Sequence, residues 1–132
     1  MKYIVAGGRD FNNYGLMTLI LSRHINPEED TIISGGARGA DELGARYASE
    51  HGIPLQIFPA YWDTYGKSAG FIRNAEMGEH ADCAIVFWDG KSKGTEHMIK
   101  TARKKGLPYW VFNYQGEKIK VGVLDVQSEK KK

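Results

Sequence analysis

Short apolar runs at regular intervals constrain this chain most. YIVA (3–6), TIIS (31–34), LQIF (55–58), CAIVF (83–87) and YWVF (109–112) are rich in β-branched or aromatic residues and end at glycine, proline or polar residues. Continuous apolar runs of this length suit strands buried on both faces. Helical patterns lie between them. Met17, Ile20, Leu21 and Ile25 share one face of the first, and Ala40, Leu43, Gly44, Tyr47 and Ala48 follow helical spacing in the second. A third pattern runs from about Ser68 to Glu79, and a fourth carries Thr95, Met98, Ile99 and Ala102 on one stripe. Gly52 then Pro54 stops the second, and Gly106 then Pro108 stops the fourth. Strand and helix therefore alternate from end to end. The pattern predicts an α/β fold, a doubly wound open sheet of about five parallel strands with helices on both faces, in three layers.

The 132 residues suffice for one domain with a real core and are too few for two ordinary ones. We assign residues 1–114 to one domain and 115–132 to an extension, in which EKIKVGVLDV offers an extra strand and QSEKKK a frayed, lysine-rich tail. The single cysteine, Cys83, allows no internal disulfide and fits a reducing compartment. MKYIVAGG is too short of apolar residues for a signal peptide, and no run approaches the ~18 residues of a membrane span. The expected location is cytoplasmic, with no membrane partner. With 18 basic and 16 acidic residues the formal charge is +2, too balanced to demand nucleic acid.

A doubly wound sheet binds ligands beyond the carboxyl ends of its strands. The loops there are GGRDFNN (7–13), GGARGAD (35–41), PAYWDTYGKSAGFIRN (59–74) and WDGKSKGTE (88–96). Gly35, Gly36 and Gly39 stand between a strand and the start of a helix, with Arg38 and Asp41 among them. Glycine lets a ligand approach the main chain, and a helix start offers free N–H groups, so phosphate is the favoured occupant. The plainer alternative is a tight, closely packed turn. The spacing matches neither the dinucleotide fingerprint nor the P-loop. Gly7, Gly8, Arg9 and Asp10 repeat the arrangement. Arg9 could grip a phosphate and Asp10 a ribose hydroxyl, or the two could pair with each other or cap a helix. Tyr61, Trp62 and Tyr65 could face a base, although core or lid packing is the commoner use of such residues. Lys67, Arg73 and Asn74 are the polar residues beside them, and Gly94, Thr95 and Glu96 open the fourth helix.

Taken together, AGGRDF, SGGARGAD, GKSAGFIRN and KGTE closely resemble the small YspA-like proteins of the SLOG superfamily over about residues 2–113. The resemblance implies a Rossmann-like fold that binds nucleotides or nucleotide-derived molecules. The superfamily includes Lonely-Guy phosphoribohydrolases, single-strand-binding DprA proteins and sensor domains for NAD-derived signals. By resemblance to the phosphoribohydrolases, Gly35, Gly36 and Gly39 match the glycine loop, and Arg73 matches the arginine. Gly94, Thr95 and Glu96 match the last element imperfectly, since the glutamate here directly follows the threonine. That departure favours binding over hydrolysis. The main reading is thus a sensor or sequestering protein for a nucleotide-derived, possibly NAD-derived, ligand. The first alternative is a metal-independent N-glycosidase of nucleoside monophosphates. There Arg73 would neutralise the phosphate or leaving base, and Glu96 would stabilise the cationic sugar and activate water. The second alternative is a DprA-like single-stranded DNA binder, which the near-neutral charge counts against. Cys83, His24, His51, His80 and His97 show no ligand spacing, so no metal or cofactor is expected. The family further implies a homo-oligomer.

Overall fold

The computed structural model describes residues 1–122. Six strands form one sheet: β1 (Lys2–Gly7), β2 (Thr31–Ser34), β3 (Leu55–Ile57), β4 (Cys83–Phe87), β5 (Tyr109–Phe112) and β6 (Lys118–Gly122). Their spatial order is β3-β2-β1-β4-β5-β6. The first five are mutually parallel, as the alternation predicts, and β6 joins the edge antiparallel to β5. Residues 123–126 of the suggested extra strand and the whole QSEKKK segment lie outside the described residues.

The helices are α1 (Tyr14–His24), α2 (Ala40–Glu50), α3 (Trp62–Tyr65), α4 (Ala69–His80) and α5 (Lys93–Lys104), with a short 3₁₀ turn (Gly66–Ser68) before α4. Strand alternation decides which core each side chain enters. Tyr3, Val5, Ile32, Ile85 and Phe87 pack with Met17 and Leu21 of α1 and Tyr47 of α2. Ile4, Ala6, Ile33, Ala84 and Val86 pack on the other face with Met77 of α4 and Met98, Ile99 and Ala102 of α5. Both faces of β1 and β4 are therefore filled, which is why these strands read as unbroken apolar runs. No helix among the described residues is long and apolar enough to cross a membrane.

The direction in which strands are added to the sheet reverses between β1 and β4. The chain winds outward from β1 to β2 and β3, then returns to β4 on the far side of β1. Beyond their carboxyl ends the connecting loops must part, and this opens the crevice typical of the fold. The crevice floor is held by main-chain contacts. The Gly8 carbonyl accepts from Ala40 N at 3.1 Å and Phe11 N at 3.2 Å, and Gly8 N donates to Phe87 O at 3.1 Å. Gly39 adopts φ +77°, and a Cβ there would stand 2.3 Å from Gly8 O.

Gly39→Ala should therefore destabilise the fold by at least about 2 kcal/mol, from strained backbone and overlap. Gly94, with open space around its would-be Cβ, is the control, and Gly94→Ala should stay within about 0.5 kcal/mol of the parent. Urea unfolding midpoints measure both, and equal midpoints for the two variants would remove the glycine junction from this account.

Candidate functional site

The crevice is an open cleft of ≈ 550 Å³. The end of β1 and its loop contribute Gly7, Arg9 and Asp10, and the second loop contributes Ala37 and Asp41. Trp62 and Lys67 come from the third loop, and Gly70, Phe71, Arg73, Asn74 and Met77 from α4. Asp89, Ser92, Gly94, Thr95 and Met98 close the far wall. Gly70, Arg73, Asn74 and Met77 follow i, i+3, i+4, i+7 spacing with Phe71 at their edge, so one helical face looks into the cleft.

Arg73 is the central group. It is half-buried, and its Nη1 donates to Gly35 O at 2.7 Å. Its Nε is buried with no partner among the described residues. Burial lowers its pKa, Asp41 opposes that shift, and Arg9 adds to it. Asp41 is 5% exposed. Its pKa is pushed up to about 6, chiefly by burial, while Arg73 and the N–H groups of Ala37, Gly35 and Gly7 pull the other way. A Cβ on Gly35 would stand 2.7 Å from both Arg73 Nη1 and Asp41 Oδ2. At Gly35 and Gly39 the group that comes close to the bare backbone is thus the protein itself.

Other acids in the cleft are already engaged. Tyr114 OH donates to Asp10 Oδ1 at 2.5 Å, and that bond, with burial, raises the Tyr114 pKa. Asp89 Oδ1 accepts from Lys91 N and Ser92 N at 2.8 Å, which lowers the Asp89 pKa. Ser92 caps α5 by accepting from Thr95 N at 3.4 Å, and its hydroxyl lies 3.0 Å from that of Thr95. Asn74 is buried and ties α4 to α5: its Nδ2 donates to Gly94 O at 3.3 Å and to His97 Nδ1 at 3.1 Å. The cationic ends of Arg9 and Lys67 lie on exposed residues.

Two aromatic rings line the same cleft while remaining open to solvent, Trp62 at 49% and Phe71 at 48% exposure. Trp62 Cη2 lies 3.5 Å from where a Gly70 Cβ would be, so the ring rests on the bare start of α4. Phe71 stacks on His97 with centroids 4.2 Å apart. Tyr61 and Tyr65 are exposed but do not line the cleft.

The structure thus brings together Gly7, Arg9, Asp10, Asp41, Lys67, Arg73, Asn74, Gly94 and Thr95 of the residues singled out in the sequence. Gly8, Gly35 and Gly39 are buried beneath it, and Gly36 and Arg38 are exposed outside the lining. Glu96 is also outside the lining and lies 3.8 Å from Lys100 along α5. Phe71, Asp89 and Ser92 were not singled out. Phe71 and Asn74 are three residues apart on one helix, so extending that face would have found the ring. Among the described residues no group of three or more His, Cys, Asp and Glu could hold a metal.

Comparison with known proteins follows from this geometry. The profile of the YspA, cpYpsA-related SLOG family matches residues 1–65. The Gene 61 protein of Mycobacterium phage D29 is 37% identical over 91 residues, 64% of this chain and 73% of the phage protein. The chain belongs to the YspA, cpYpsA-related SLOG family. Its fold is shared with DNA processing protein A (DprA) from Streptococcus pneumoniae, with TM-score 0.64 and 18% identity over 97% of this chain. The chain spans only 60% of that protein. The DNA processing protein A of Helicobacter pylori, solved for its unique single-stranded DNA binding mode, matches with TM-score 0.62 and 19% identity, covering 98% of this chain and 72% of that one.

These relatives correct two expectations drawn from the sequence. A nucleotide-derived small molecule does not stand as the main ligand, and nucleic acid cannot be set aside on net charge, because the neighbours in fold are DNA processing proteins, one of them solved for its single-stranded DNA binding mode. The physical reason is that a formal +2 averages the entire chain, whereas strand binding depends on the groups along one edge of the sheet.

The buried carboxyl gives a test of the site's electrostatics. Because the folded state holds the Asp41 proton up to about pH 6 instead of 3.8, stability from this group is greatest at low pH and falls as pH rises through that window. Asp41→Asn removes the titration. Its melting temperature relative to the parent should rise between those pH values and level off above them. A difference that stays flat across the window would show that Asp41 titrates normally.

Proposed function

We propose that this SLOG protein binds single-stranded DNA across the cleft at the end of β1 and β4. The observation that carries the reading is the pairing of solvent-open rings with cations around one open cleft: Trp62 and Phe71 beside Arg9, Lys67 and Arg73. Bases of a single strand stack on such rings regardless of sequence, at about 1–3 kcal/mol per base. Exposed Arg9 and Lys67 suit phosphates, and Arg73 lines the same cleft beside them. The likeness in fold to DprA proteins, one of them solved for its single-stranded DNA binding mode, supports the same partner. Gly7, Asp10, Asp41, Asn74, Gly94 and Thr95 would shape the cleft around the strand rather than supply charge. We assign the activity to the cytoplasm, where the buried thiol of Cys83 stays reduced.

Anisotropy titrations with labelled oligothymidine test this. The single strand should bind, and a duplex of equal length should bind more weakly because its bases are not free to stack. Trp62→Ala should lose about 1–3 kcal/mol. Arg9→Ala and Lys67→Ala should each lower the slope of log K against log salt by about 0.7. If duplex and single strand bind alike, or Trp62→Ala binds as well as the parent, the reading fails.

A further inference from the structure

A second concavity of ≈ 590 Å³ lies along α4 and α5, lined by Ala75, His97, Lys100, Thr101, Lys104 and Lys105. It differs from the first cleft in charge. Three lysines line it and no carboxylate does, whereas Asp10, Asp41 and Asp89 line the first. Lys105 is paired with Glu79. Lys100 reaches Glu96 only at 3.8 Å, and that lysine side chain is 66% exposed. Lys104 has no carboxylate partner among the described residues. Lys100 and Lys104 are four residues apart on one helix, so they project from one face with a rise of about 6 Å between them. Two cations at that interval suit successive phosphates of an extended strand.

The two concavities share a wall. Phe71 lines the first and His97 the second, and their rings stack at 18° between planes. Asn74 of the first cleft holds His97 through Nδ1 at 3.1 Å. Burial and Lys100 both lower the His97 pKa, so at neutral pH the ring stands as a flat, uncharged step between the two basins. A strand leaving the cleft over Phe71 meets the lysine groove next.

We propose that the groove along α4 and α5 continues the single-strand path, taking phosphates beyond the cleft on Lys100 and Lys104. This rests on the single-strand reading of the cleft. The test compares oligothymidines of about 4 and about 12 nucleotides, lengths within the range of known single-strand binders, on the full chain and on the double variant Lys100→Ala, Lys104→Ala. For the longer strand the variant should lower the slope of log K against log salt by about 1.4, at about 0.7 per lost phosphate contact, and weaken binding at physiological salt. The short strand should bind parent and variant alike. Lys100→Arg, Lys104→Arg should restore the long-strand slope. If the long strand binds the variant with unchanged slope, the groove is not on the path and the cleft reading survives. Equal weakening at both lengths would overturn the extension in favour of a diffuse field effect. If the parent binds neither length, the cleft reading falls and the extension with it. Polyglutamate bound at Lys100 and Lys104, with DNA affinity untouched by the double variant, would overturn it in favour of an acidic protein partner.

Discussion

The carbonyl oxygen of Gly8 joins the two glycine loops. It accepts from Phe11 N within its own loop and from Ala40 N at the start of α2, while Gly8 N reaches across to Phe87 at the end of β4. Three segments that arrive from different parts of the sheet are fixed to one residue. A buried carbonyl has two lone pairs and can hold two donors at once, and leaving it with no partner costs about 1–3 kcal/mol. The junction therefore sets the depth of the crevice floor before any side chain is placed. The backbone at Gly39 must pass so close to Gly8 and Arg9 that no Cβ fits, which makes the glycine pattern a packing requirement first.

Above this floor the cleft carries a buried charge that is compensated from within. Arg73 gives one donor to Gly35 O and faces Asp41, whose other neighbours are backbone N–H groups. Removing either charge alone would strand its partner in a poorly solvated place. Among the described residues Arg73 Nε is a buried donor without an acceptor, so the internal compensation leaves one N–H of the guanidinium unused.

The sequence discloses the architecture well because burial on both faces leaves an unambiguous pattern. Residues 3–6 and 83–87 have no charged or amide side chain to confuse it, and each run alternates between the two cores. β6 was harder to read: Lys118, Ile119, Lys120 and Val121 are all exposed at an edge, where only one flank is hydrogen-bonded and apolar content is not required. The loops that meet at the crevice were legible from topology alone. The roles of their residues were less so. Spacing cannot distinguish a glycine that admits a ligand from one that admits another loop, and Gly35 and Gly39 are of the second kind. Nor can it show that Glu96 faces along α5 toward Lys100 instead of into the cleft, since a one-residue step on a helix turns a side chain by about 100°.

Net charge misleads here for a related reason. Near-equal numbers of acids and bases give a formal +2, but charges differ in what they can offer a partner. Asp10, Asp41 and Asp89 spend their lone pairs on Tyr114, Ala37 and the N–H groups of Lys91 and Ser92. Arg9 and Lys67 belong to exposed residues, as Asp10 and Asp89 do, whereas Asp41 is buried. The count over the lining is even, with Arg9, Lys67 and Arg73 against Asp10, Asp41 and Asp89. On this view a nearly neutral chain can receive a strand without a strongly basic surface, because the solvent-open rings of Trp62 and Phe71 contribute base stacking, which salt does not screen.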